Sequence, residues 1–234
     1  MGMKFIYYSH SDYSDVWPMM FGQAEKYLKD YDKVLFTDKG EVPEDWDILT
    51  YDDSLPYQQR VLSCLEQLDD EVVVFHHEDM FLYKEPDHEF LAEFARLVET
   101  DLVDFVKLLR GGYNDNLAKH TQENLVMSPP EMVFTIQPTI CKTETLALMY
   151  RETPGDSIWA FESNTKETSI KHNLSGFMAF KDSDKKRGMH HYDSGVYPYV
   201  ATGVVKGKWY VSDYPELKTI LEEYGIDISI RGTV

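Results

Sequence analysis

The chain has 234 residues, enough for one sizeable domain, and its 43% hydrophobic and 14% aromatic content is that of a folded globule. Its 41 acidic residues outnumber 23 basic ones, and the resulting net charge of −18 repels nucleic-acid phosphates and anionic lipid, which argues against both as main partners. An anionic small molecule would need a metal ion or a local basic cluster to offset that field.

The first half alternates strand and helix patterns. Lys4 to Tyr8 forms a β-like run, and Met19, Met20, Ala24, Tyr27 and Leu28 then recur at helical spacing behind Pro18. Lys33 to Thr37 predicts a second strand closed by Asp38-Lys39-Gly40, and Asp47 to Tyr51 a third that ends at Asp52-Asp53. A helix carrying Val61, Leu62, Leu65 and Leu68 follows Pro56, and the Val72 strand comes next. A helix striped by Phe90, Leu91, Phe94, Leu97 and Val98 leads to a strand over Asp104 to Leu109, stopped at Gly111-Gly112. This βαβα rhythm predicts an α/β fold with a mostly parallel central sheet flanked by helices.

The second half is less regular. Met132 to Lys142 predicts a strand interrupted at Pro138, with a helix from Glu144 to Tyr150 after it. Residues 153 to 176 predict loop and helix over the sheet, and the charged stretch from Lys181 to Gly188 predicts a mobile loop. Val200 to Val205 and Trp209 to Val211 flank a turn at Lys206-Gly207-Lys208, and Leu217, Ile220, Leu221 and Tyr224 mark a last helix. No repeat or linker divides the chain. One domain is expected, with a nucleotide side over about residues 1–112 and an acceptor side over about 113–234.

Cys64 and Cys141 do not form a disulfide framework, and Cys64 on an apolar helix face predicts a buried thiol. No signal peptide or transmembrane run is visible, and Ile6 leaves a myristoylation signal at Gly2 incomplete. The expectation is a cytoplasmic protein, in which the sequon at Asn173 carries no meaning.

The densest chemistry lies at Val72-Val73-Val74-Phe75-His76-His77-Glu78-Asp79, where a β-branched run ends in four metal-competent side chains. Burying four such groups without partners costs several kcal/mol each. The economical placement is the carboxyl end of a central strand, facing the crevice where open α/β sheets bind ligands. Strand alternation would put His77 and Asp79 on one side, and His76 and Glu78 on the other. Oxygen-rich ligation suits Mg2+ or Mn2+. The alternative is a pair of satisfied core histidines followed by acids that begin a solvated turn. His190-His191-Tyr192-Asp193 offers further ligands, just after the basic cluster Lys185-Lys186-Arg187, which suits a diphosphate. Arg60 lies near Asp52-Asp53. Glu162, behind Trp159 and Phe161, is a candidate general base, with Asp156 its competitor.

Neither GxGxxG, GxxxxGK[ST], GxSxG nor HExxH occurs, so dehydrogenase, P-loop, α/β-hydrolase and zincin readings lose their main support. The ordered set of Ser9, Tyr51-Asp52-Asp53-Ser54-Leu55, Arg60, VVVFHHEDMFLY, FTIQPTICKTETL (Phe134 to Leu146), Trp159-Ala160-Phe161-Glu162 and Val204 to Trp209 resembles GT-A-type nucleotide-sugar glycosyltransferases. It is similar in particular to small bacterial and large-DNA-virus enzymes that build surface glycans. The resemblance implies that His77-Glu78-Asp79 stands in place of the DxD-like triplet, with histidine at its first position and Asp79 as metal-binding aspartate. It implies Glu162 as acceptor base, His190 or His191 as a third metal contact, Ser9 and Asp38 along the nucleoside pocket, and Arg60 on the nucleotide side. Lys186 and its basic neighbours would close over the diphosphate. The implied partners are a nucleoside diphosphate sugar donor and a glycan acceptor, with Mn2+ or Mg2+ as cofactor. A nucleotidyltransferase, or a non-catalytic glycan-binding protein on the same fold, is the alternative.

Overall fold

The computed structural model describes residues 2–69, 71–111, 125–128, 134–155, 157–187 and 191–234. Eight strands form one sheet in the order β3-β2-β1-β4-β7-β5-β8-β6. Its first half is β1 (Lys4–Tyr8), β2 (Asp32–Thr37), β3 (Trp46–Thr50) and β4 (Val72–His77), all parallel, with α1 (Trp17–Tyr27) and α2 (Tyr57–Leu65) in the crossovers. β1 is covered on both edges, and its Phe5, Ile6 and Tyr7 are buried, as are Val73, Val74 and Phe75 of β4. A parallel strand covered on both faces is apolar throughout, and this explains the unbroken runs in the sequence.

The other half contains β5 (Phe105–Lys107), β6 (Leu125–Met127), β7 (Thr139–Lys142) and β8 (Gly176–Ala179). β7 runs antiparallel to both β4 and β5, β8 is parallel to β5, and β6 is antiparallel to β8. Six strands therefore share one direction, and β6 and β7 oppose it. The α/β class with a mostly parallel sheet is as expected. α3 (His88–Glu99) packs on β4, β5 and β7, whereas α4 (Thr143–Glu152) packs on α2. The stretch 153–176 resolves into α5 (Ile158–Lys171), capped by Ser157, and the start of β8.

Three expectations need correction. Of the strand expected over Met132 to Lys142, the described part begins only after Pro138, because proline has no N–H for the ladder. The stretch expected as a mobile loop contains β9 (Lys186–Arg187), paired antiparallel with β10 (His191–Tyr192). The hairpin near Gly207 is present but shorter: β11 (Val204–Val205) and β12 (Lys208–Trp209) are joined by Lys206 and Gly207 at φ +50° and +77°. Positive φ at both turn positions matches the twist of a tight hairpin, and glycine meets it without strain. The chain closes with α6 (Pro215–Glu223) and α7 (Ile228–Arg231). Both cysteines are free and buried. Among the described residues, no helix is long and apolar enough to cross a membrane.

Candidate active site

β1 sits between β2 and β4, so successive crossovers leave it in opposite directions. The carboxyl ends of β1 and β4 therefore flank a topological switch point, where a crevice opens in a doubly wound sheet. Tyr8 and His77 are register partners at those ends. A cavity of about 1150 Å3 opens there, and Tyr8, Arg60, Glu78, Asp79, Lys107 and Glu162 are among the residues that line it.

The strand ends at His77, and the chain then turns, with Met80 N–H donating to the His77 carbonyl at 3.2 Å. Alternation stops with the strand, so Glu78 and Asp79 both line the cavity instead of pointing to opposite faces. The two histidines do separate. His76 is buried on the far face, stacked on Tyr7 with Nε2 2.8 Å from the Tyr197 hydroxyl, and burial pushes its pKa down to about 3. It is a core histidine. His77 faces the cavity, its Nε2 2.9 Å from the Tyr57 hydroxyl, which lies 3.0 Å from that of Tyr150. Burial pushes its pKa down to about 4, so it is a neutral imidazole near pH 7.

Asp79 is held by backbone. Its Oδ2 accepts from the N–H groups of Gly203 and Val204 at 3.0 and 2.9 Å. The segment supplying them is itself strapped to the extension of β4, through Val200 N–H to Phe81 O and Tyr83 N–H to Pro198 O. A Cβ on Gly203 would come within 2.7 Å of the Asp79 carbonyl, so only glycine permits this approach. Burial raises the pKa of Asp79 above the usual carboxylate range, with the two N–H donors opposing the shift. Glu78 is pushed up to about 8, first by burial and then by the adjacent Asp79 charge. Among the described residues no ion pair reaches either carboxylate.

Elsewhere in the lining, Glu162 of α5 accepts from the Ile136 N–H through Oε1 at 2.8 Å. Lys107, at the end of β5, is 2% exposed, and burial pushes its pKa down to about 7 against the raising effect of the Glu162 charge. Arg187 also borders the cavity, but its guanidinium is engaged by Glu216 at 2.7 and 2.9 Å, by Asp193 and by the Asp213 carbonyl. Arg60 is tied to Asp53 at 2.9 Å and to the Leu55 carbonyl at 2.6 Å.

Of the residues singled out in the sequence, Arg60, His77, Glu78, Asp79, Glu162 and His191 line one cavity. Three do not. Ser9 is fully buried behind β1, where its hydroxyl accepts from the Trp17 indole at 2.7 Å and its carbonyl from the Tyr51 hydroxyl at 2.7 Å. Asp38 accepts from the Ser11 amide and hydroxyl at 2.7 and 2.8 Å and so fastens the loop after β1. Burial alone would raise its pKa, but those two donors outweigh burial and hold it low. Lys186 is exposed, with its ammonium 5.9 Å from the Tyr192 ring, and is not among the cavity-lining residues. Asp156 and His190 lie outside the described residues. Tyr57 and Lys107 were missed, and Arg187, singled out only as part of the basic cluster, is the member of it that borders the cavity. Only Lys107, a lysine inside the apolar run Phe105 to Leu109, carried a signal that could have found it.

No protein-family model and no curated protein sequence matches the chain. Solved structures do. A CMP:2-keto-3-deoxy-manno-octonic acid synthetase complexed with CTP superposes with a TM-score of 0.50 at 9% identity, over 76% of this chain and 89% of that one. The bifunctional IspDF from Campylobacter jejuni superposes with a TM-score of 0.46 at 10% identity, over 76% of this chain. The alignment spans 49% of the IspDF chain, about half its length. The likeness is one of fold.

Glu78 and Asp79, which no cation of the described residues pairs directly although the Arg231 charge acts on both, are the groups that would hold an ion such as Mg2+ or Mn2+. Such ions take one or two carboxylates and complete their shell with water and substrate phosphate oxygens. Among the described residues no cluster of three or more His, Cys, Asp or Glu forms a protein-only cage.

Proposed function

We propose that this chain is a metal-assisted glycosyltransferase that moves a sugar from a nucleoside diphosphate sugar to the hydroxyl of a glycan acceptor. The observation that carries this reading is the Glu78–Asp79 pair at the switch point between β1 and β4, opening into a cavity large enough for donor and acceptor together. Glu78 and Asp79 would hold a Mn2+ or Mg2+ ion, which when bound neutralises charge developing on the diphosphate leaving group. Tyr8 and Arg60 border the donor end of the cavity. Glu162, fixed by the Ile136 N–H, takes the proton of the acceptor hydroxyl as that oxygen attacks the anomeric carbon. The bond from that carbon to the diphosphate oxygen breaks, and a single displacement inverts the configuration.

Nucleotidyl transfer is the second reading, favoured by the fold likeness to the synthetase complexed with CTP. Charge favours sugar transfer. A nucleoside triphosphate carries more charge than a diphosphate sugar and needs more N–H donors and cations to offset it, and the loop after β1, which lines the cavity through His10 and Tyr13, offers few. Residues Ser9 to Val16 contain no glycine, lysine or arginine, and they carry Asp12 and Asp15 instead. Arg60, Arg187 and Arg231 are each paired to carboxylates, Arg231 with Asp15 at 2.5 Å. A diphosphate brought with its own divalent cation suits this environment better.

The two readings release different products. Incubation with nucleoside diphosphate sugars, Mn2+ and glycan acceptors is expected to liberate nucleoside diphosphate. Pyrophosphate release from a nucleoside triphosphate and a sugar phosphate, with no turnover of the diphosphate sugars, would transfer the assignment to nucleotidyl transfer.

A further inference from the structure

The chain has four tryptophans, and three are core residues: Trp17, Trp46 and Trp209 are 6%, 6% and 0% exposed. Trp159 is 78% exposed. Leaving an indole in water forgoes the burial that usually fixes a tryptophan's place, and what distinguishes Trp159 from the other exposed apolar side chains is where it stands. It stands in the first turn of α5 and lines the same cavity as the carboxylate pair, with Ile158 beside it. Glu162 follows three residues later, and residues at that spacing project side by side from a helix.

The turn that carries Trp159 is rigid. Ser157 caps it by accepting from the Ala160 N–H at 3.2 Å, and Phe161 on the opposite face is fully buried and stacked on Tyr150 with ring centroids 4.6 Å apart. The indole is thus presented on a fixed base, which reduces the ordering cost of binding a flat partner. The carboxylates of Asp79 and Glu162 share the cavity with Trp159, while the Arg60 and Arg187 guanidiniums that also line it are already paired to carboxylates and the Lys107 ammonium is buried. A neutral ring with an apolar C–H face and a hydroxyl rim matches an indole flanked by a carboxylate.

We propose that Trp159 is the platform of an acceptor subsite for a neutral pyranose, whose C–H face stacks on the indole while a hydroxyl of the same ring reaches Glu162. The assignment rests on the sugar-transfer reading and adds to it the chemical class of the acceptor. It makes Trp159 a specificity-determining residue, since an acceptor with a non-cyclic hydroxyl would lose the stacking contact.

Because Trp159 is the exposed tryptophan, acrylamide quenching of the intrinsic fluorescence reports on it above the three buried ones. Methyl β-D-galactopyranoside and methyl β-D-glucopyranoside, at millimolar concentration with UDP or GDP and Mn2+ present, are the probes. At least one glycoside is expected to lower the quenching constant. Saturation-transfer NMR is expected to show its binding weakened by about tenfold in Trp159→Ala. Ile170→Ser, at the exposed far end of the same helix and outside the cavity, should bind as the parent does. Failure of both glycosides to protect Trp159, or equal protection by the nucleoside diphosphate alone, overturns the subsite. Calorimetry of nucleotide binding on the same samples separates this from the parent reading: absent nucleotide binding removes sugar transfer, whereas the subsite stands or falls on the glycoside titration.

Discussion

Asp79→Asn is expected to lower the rate of sugar transfer by about 10²- to 10³-fold at saturating Mn2+ and donor, the size of effect seen when one strong electrostatic contact to a leaving group is removed. The substitution isolates the charge. The asparagine carbonyl oxygen can still accept from the Gly203 and Val204 N–H groups that now bond Oδ2, so the strap over the site keeps its anchor. Stability is expected to hold or rise, because burial disfavours the ionised form of Asp79 in the free protein. Loss of activity with gain in stability is the signature of a group retained for function. Rates near those of the parent would remove the metal-site account.

Glu78 gives the same site a pH signature. Its folded-state pKa, about 8, lies above its ordinary value of 4.5, so between those limits the folded chain binds more protons than the unfolded one. Stability therefore falls as pH rises through that window. Thermal melts are expected to show this slope in the parent and a flatter one in Glu78→Gln.

Glu162→Gln is expected to reduce kcat by about 10²- to 10⁴-fold, the usual contribution of a positioned general base. Glutamine keeps an oxygen for the Ile136 N–H, so the start of α5 should remain in place. The loss should fall on kcat, with the KM for donor sugar little changed, because a group that acts only on the acceptor proton contributes to the transition state and not to donor binding. A variant that transfers sugar at the parent rate would return Glu162 to a structural role.

The parts of this fold legible in the sequence are those where burial on both faces leaves an unbroken apolar run. The β1 and β4 runs, and the helices striped by Leu91 and Leu217, are of that kind. Strand direction is not encoded in such a run, and β7 accordingly reads like its parallel neighbours although it opposes both. β8 is only four residues long and begins with glycine, too short to show a period. In the site, the acids after Phe75 were legible because charge following a buried strand must find a crevice. The fate of Ser9 was not, since its availability depends on Trp17, eight residues away, taking its hydroxyl. Nor was the basic cluster: Arg187 meets Glu216 and Asp193, partners that only the tertiary fold brings to it.

Calorimetric titration of the parent protein and Asp79→Asn with UDP, GDP, CDP and dTDP, with and without Mn2+, tests the carboxylate pair most directly. One nucleotide is expected to bind the parent tightly only when Mn2+ is present, and Asp79→Asn should erase that metal dependence. Nucleotide affinity that is the same with and without Mn2+, and the same in both proteins, would contradict a cation held between Glu78, Asp79 and a diphosphate.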